Sequence, residues 1–280
     1  MSTIDIFNCY SNTPKPREFV LPGLLPGIVG SIVSPGGAGK SFLALLMAHC
    51  IAGNTDLLGF GNFHQGRVIY FSAEDGEDVL HERLHAIGQR LNPEQREACA
   101  KQLRIEDMTG KSPNLFSDQW LEFIERLAKD SRLLIIDTLR SFHDGDENDG
   151  AQMSALISAL RAVARRTRCA VVFLHHSSKA LAVSGQGDLQ QASRGSSVLT
   201  DNIRWQGFLV GMTSEEANKF GIDLEQRRQF VRFGISKQNY GMPVEEKWFK
   251  RGDHGVLFPI DPFMAKNTKK IYRGNDRGQL

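Results

Sequence analysis

The chain repeats one alternation, a short apolar run followed by a longer segment with helical spacing. Val29–Val33, Val68–Ser72, Leu133–Ile136 and Ala170–Leu174 are the apolar runs. Leu133–Ile136 and Ala170–Leu174 are wholly apolar, the other two are broken only by Gly30, Ser31 and Ser72, and none alternates, as expected of strands buried on both faces. Between them, helical segments cover Lys40–Ala52, the region around Asp78–Arg90, and Asp118–Lys129, with a short helix opened by Asn92-Pro93. The clearest helix is Ala151–Arg168, where Met153, Leu156, Ile157, Leu160, Val163 and Ala164 form one stripe at three- and four-residue spacing. This alternation predicts an α/β fold with a mostly parallel central sheet, covered by helices on both faces. Phe230–Lys237, Glu246–Lys250 and Val256–Phe258 follow at short turns and predict an antiparallel β-hairpin region at the C-terminal end. Gly53 is expected to end its helix as the C-cap.

At 280 residues the chain can bury one full core. The expected layout is an arm over 1–17, a main domain over 18–262 and a basic tail over 263–280. The arm carries Ile4, Ile6 and Phe7 ahead of Pro14-Lys15-Pro16; it is either a tether to an adjacent subunit or a frayed end. The tail carries Lys266, Lys269, Lys270, Arg273 and Arg277 and reads as a solvated end. A net charge of +2 excludes a global basic field, so any nucleic-acid contact has to be local. Cys9, Cys50, Cys99 and Cys169 have no paired spacing, which argues against a disulfide framework or zinc site. No run is long enough to span a bilayer and no secretion signal opens the chain, so a cytoplasmic protein is expected.

Chemistry concentrates after the first strand, in Ser34-Pro35-Gly36-Gly37-Ala38-Gly39-Lys40-Ser41-Phe42. Its end is that of a phosphate-binding loop, with Ser34 where the usual pattern has glycine. Such a loop aims successive N–H groups at phosphate oxygens, and the following helix adds a favourable dipole. Lys40 would reach the β- and γ-phosphates of ATP and Ser41 would bind Mg²⁺. Asp137, closing the apolar run Leu133–Ile136, is placed to hold the same Mg²⁺; a lone strand-end aspartate is as often a cap. Glu74, just past Val68–Ser72, is placed to orient and deprotonate the attacking water, whereas Glu77 and Asp78 read as first-turn acids of the next helix.

These elements, in this order, resemble the RecA-like ATPase core. "LHHSSK" at 174–179 looks like the motif of DnaB-type helicases that senses the γ-phosphate, with His176 in the place of its glutamine. "SRGSSVLTDNIRW" at 193–205 and "ISKQNYG" at 235–241 are similar to two further segments of that family. Over roughly Val20 to Trp248 the chain resembles the RepA-type hexameric replicative helicases of broad-host-range mobilisable plasmids. The resemblance implies a ring acting on single-stranded DNA and moving 5′ to 3′, with plasmid initiator or primase proteins as further partners. The family's Lys-x-Arg near 237 is here Lys237-Gln238-Asn239, so its trans arginine is missing. Arg204 is the substitute that the resemblance implies, with Lys237 as a secondary candidate. An ordinary snorkelling arginine is the rival account of Arg204.

His176 carries one consequence of its own. Histidine titrates near pH 6.5 where glutamine does not, so turnover is expected to rise as pH falls toward that value. Adjacent strand residues point to opposite faces, which disfavours His175 and His176 as a metal pair. DNA contacts are expected in the Gly/Ser/Gln-rich stretch 177–191 and just beyond, through Lys179, Ser184, Gln186, Gln190 and Arg194. The rival readings are a RecA-like recombinase or mediator, a small-molecule kinase, and a DNA-stimulated regulatory ATPase.

Overall fold

The computed structural model describes residues 3–61, 63–176 and 197–263. Among the described residues, one nine-stranded sheet runs in the order β3-β2-β4-β5-β1-β6-β7-β8-β9. Its parallel part comprises β1 (Val29–Ser34), β2 (Val68–Ser72), β3 (Leu103–Asp107), β4 (Leu133–Asp137), β5 (Ala170–His176) and β6 (Trp205–Gly211). The antiparallel extension is β7 (Phe230–Gln238), β8 (Lys247–Arg251) and β9 (Leu257–Ile260). The helices are α1 (Ile6–Ser11), α2 (Lys40–Gly53), α3 (Glu77–Gly88), α4 (Pro93–Gln102), α5 (Asp118–Ala128), α6 (Gly150–Thr167), α7 (Ser197–Asn202) and α8 (Ser214–Phe220).

Strand periodicity divides the core. Val68, Tyr70, Leu133, Ile135, Val172 and Leu174 pack with α2 on one face. Their neighbours Ile69, Phe71, Leu134, Ile136, Val171 and Phe173 pack with α5 and α6 on the other. Successive residues of each strand therefore serve opposite layers, which is why the runs do not alternate between apolar and polar. α6 buries the stripe its spacing predicts, and Asp149 caps it by accepting from the amides of Ala151 and Gln152. Asn92 and Gln95 form a reciprocal capping box at the start of α4.

One local reading is corrected, and two elements go unmarked in the sequence analysis. Gly53 is the last residue of α2, and the left-handed C-cap is Asn54, at φ 48°. A Cβ on Gly53 would lie 2.7 Å from Cys99 Sγ, so glycine is there to let α4 approach. β3, with the sequence LRIED, was not anticipated: it is a short edge strand with Arg104 and Glu106 on its wetter side, and lacks the continuous apolar signal. α8 was also missed, although Thr213 and Glu216 supply the capping-box signature before it. The N-terminal arm contains a helix, α1, capped by Asp5, and none of its residues is buried.

Candidate nucleotide site

β1 ends at the buried Ser34, whose hydroxyl donates to the carbonyl of Pro35 at 3.0 Å. A serine at this position therefore turns back into its own loop and leaves the phosphate side open. Gly37 and Gly39 have φ of 72° and 96°, a region that residues with a Cβ avoid. That path delivers the chain into α2 at Lys40, so the loop amides and the helix N-terminus face one space.

The space is a cleft of ≈ 290 Å³ lined by Gly37, Gly39, Lys40, Ser41, Phe42, Glu74, Asp75, Arg83, His176, Arg251, His254 and Gly255. Lys40, Ser41, Glu74 and His176, each singled out from sequence, meet there. Lys40 Nζ lies 3.0 Å from His176 Nε2 and 3.2 Å from Nδ1. His176 Nε2 lies 3.3 Å from Glu74 Oε1. Thr138 Oγ1 donates to the same Glu74 oxygen at 3.0 Å. Burial lowers the Lys40 ammonium, opposed by the charges of Glu74, Asp137 and Asp75. Burial alone would raise Glu74, but the Thr138 hydrogen bond, the Lys40 charge and His176 hold it below the ordinary carboxylate range. Glu74 is thus kept as the ionised, proton-accepting form. The carbonyl of Asp137 accepts from Ala73 N at 2.8 Å, tying the Glu74 loop to the end of β4.

Asp137 is 1% exposed. Its Oδ2 accepts from Tyr70 Oη at 2.6 Å, while Oδ1 is buried with no hydrogen-bond partner. Burial raises this carboxyl, against the Tyr70 and Ser41 hydroxyls that lower it. A buried carboxylate oxygen without a donor, close to a serine hydroxyl, is a set that fits a hard cation such as Mg²⁺. Glu77 and Asp78 lie in the first turn of α3, as expected, and Asp75 pairs with Arg83.

His175 and His176 do point apart: His175 faces Glu147 at 3.8 Å, on the other side of the strand from Lys40. No cluster of three metal-ligating side chains occurs among the described residues. Arg251, at the end of β8, was not singled out from sequence. Its guanidinium donates to the carbonyls of Gly37 at 3.1 Å and Ala38 at 2.6 Å, bracing the loop at the cleft wall. Arg251 pairs with Leu257 in the β8–β9 hairpin, and no local signal marks its contact with a loop more than two hundred residues away.

Arg204 and Lys237 are elsewhere. Arg204 immediately precedes β6, its amide bonded to Val29 O at the start of β1, whereas the phosphate loop follows the end of β1. The six residues of β1 separate the two, roughly 16 Å at about 3.3 Å per residue. Lys237 pairs with Gln206 at the same end as Arg204. The DNA candidates Lys179, Ser184, Gln186, Gln190 and Arg194 lie outside the described residues.

A family model described as an AAA domain matches residues 3–182. Similar solved structures include an ATPase domain that is 17% identical, with TM-score 0.61 over 91% of this chain and 96% of that one. A DnaB-like replicative helicase, described with its interactions with primase, is 17% identical with TM-score 0.58 over 85% of this chain and 58% of that one. The RadB recombinase is 12% identical with TM-score 0.54 over 85% and 92% respectively. At these identities the likeness is one of fold: a mostly parallel sheet with antiparallel C-terminal strands, as in RecA-like P-loop ATPases.

Proposed function

Since the chain belongs to the AAA-domain family, we propose that it is an ATP-driven helicase subunit whose hydrolytic site is completed by a second copy in a ring, a hexamer by the resemblance above. The observation that carries this reading is the separation of Arg204 from the phosphate loop along β1. An arginine at the far end of the same sheet cannot reach its own triphosphate, but a head-to-tail neighbour can present it. In the proposed site the loop amides and Lys40 bind the β- and γ-phosphates. Glu74 takes a proton from the attacking water, and His176 registers the γ-phosphate. Ser41 and Asp137 would hold Mg²⁺, which when bound neutralises phosphate charge. The neighbour's Arg204 stabilises the charge spread over the transferred phosphoryl group.

Residues 18–262 are proposed as the motor domain. Between β5 and α7, Lys179, Ser184, Gln186, Gln190 and Arg194 are proposed to follow the backbone of single-stranded DNA, so that γ-phosphate loss at His176 shifts the strand. Replication initiator or primase proteins would load the ring, and a cytoplasmic location would follow.

The test is unwinding of a forked duplex with ATP and Mg²⁺, using each tail polarity. A 5′ tail is expected to support unwinding. Glu74→Gln should still bind ATP while hydrolysis falls by about 10²–10⁴-fold. The RadB likeness favours a second reading, a recombinase or mediator that coats DNA. Electron microscopy with nucleotide separates the two, since a motor of this kind gives closed rings and a recombinase gives open filaments.

A further inference from the structure

At the end of the sheet remote from the phosphate loop lies a second cleft of ≈ 240 Å³, with Arg161, Asp201, Asn202, Arg204, Lys237 and Asn239 on its walls. Its three cations are used differently. The Lys237 ammonium donates to the carbonyls of Thr200 at 2.7 Å and Asp201 at 3.5 Å. It therefore holds the C-terminal turn of α7, two residues before Arg204, and acts as a positioning residue. Among the described residues, neither Arg161 nor Arg204 has an ion-pair partner, and the Asp201 carboxylate in the same cleft pairs with neither. Two unneutralised guanidiniums in one small cleft repel each other, and a multiply charged anion relieves that repulsion. Planar forks suit phosphate oxygens.

We propose that Arg161 on α6 is a second arginine delivered, beside Arg204, to the triphosphate bound by a neighbouring copy. The proposal rests on the shared-site reading above. α6 is a rigid mount: Leu160 and Val163, on either side of Arg161, are wholly buried. Arg161 also enters the cleft alongside Asn239, the position where an arginine is missing. The anion cannot be the chain's own nucleotide, because the intervening length of β1 keeps it out of reach.

The experiment measures ATP hydrolysis by the full chain at saturating ATP. Arg161→Ala is expected to lower kcat about ten- to a hundred-fold, less than loss of an arginine finger costs. Arg165→Ala, the same charge change one turn along α6 and outside the cleft, should leave it unchanged. Mixing Arg161→Ala subunits with Lys40→Ala subunits should restore about a quarter of the wild-type rate, the random share of interfaces with both halves intact. A parallel mixture of Arg204→Ala with Lys40→Ala reports on the shared site itself. If that mixture recovers and the Arg161 mixture does not, the proposal falls and the shared site stands. If neither recovers, both fall. If Arg161→Ala does not fold, Arg161→Lys takes its place, and full retention of kcat by Arg161→Lys overturns the need for a guanidinium. Inorganic phosphate binding to dissociated subunits, lost in the Arg161 variant, would assign the cleft to a free anion and overturn the proposal too.

Discussion

At the residue scale, one oxygen pair decides how the cleft handles protons. Thr138 Oγ1 donates to Glu74 Oε1, and this bond outranks Lys40 and His176 among the influences that hold Glu74 down against the upward push of burial. On the proposed reading Glu74 is the base; a base must be ionised to work, so the acid limb of the pH–rate profile is expected to follow the Glu74 carboxyl. Removing a donor to the charged form raises the carboxyl's pKa. Thr138→Val is therefore expected to move the acid limb to higher pH, with the plateau rate changed less than the limb. A pH series of steady-state ATP hydrolysis checks this; an unmoved limb would mean that another group sets it. Ser34, the residue most at odds with the usual loop pattern, is accommodated because its hydroxyl has a local acceptor in Pro35.

At the scale of elements, α2 is packed on every side, and its end is set by a neighbour. Gly53 leaves room for Cys99 of α4, and the reversal falls one residue later, on Asn54. Gly53→Ala is expected to cost about 1–3 kcal/mol in urea unfolding, as overpacked sites do. Cys99→Ala in the same chain removes the opposing sulfur and should recover most of that loss. A double variant no more stable than Gly53→Ala alone would show that the contact is not the cause. The helix and strand readings that succeeded rest on strong apolar signals, the long stripe of α6 and the unbroken buried run of β4. Those that failed lack such a signal: β3 is a half-buried edge strand with charged residues, and α8 is seven residues behind a capping box.

Across the whole molecule, two clefts are held apart by one sheet. The loop, Glu74 and His176 lie at the ends of parallel strands, while Arg204, Lys237 and Arg161 lie where those strands begin. A rigid sheet that separates complementary halves makes catalysis depend on assembly, on the proposed reading. α1 adds a surface suited to assembly: Phe7 is 81% exposed and Tyr10 85%, with Ile6 beside them. Isolated helices this short are marginal in water, so a partner surface would have to stabilise it. Deleting residues 1–16 is expected to lower the assembled mass in light scattering and the ATPase rate with it. An unchanged mass would leave α1 without a part in the ring.

Sequence alone determined the doubly covered sheet, because strands buried on both faces have to be apolar throughout and their helices have to be striped. It also determined the phosphate loop, since the glycines, Lys40 and Ser41 act through adjacent backbone whose geometry is local. Glu74 and Asp137 could be singled out because one follows a buried strand and the other closes one, and the sheet sets the ends of those two strands side by side. The tertiary structure decided what is joined over distance: Arg251 bracing the loop across more than two hundred residues, Thr138 tuning Glu74, and Arg161 standing beside Arg204. None of these contacts leaves a periodic or adjacent trace, because each is made by a side chain whose partner is chosen by the packing of whole layers.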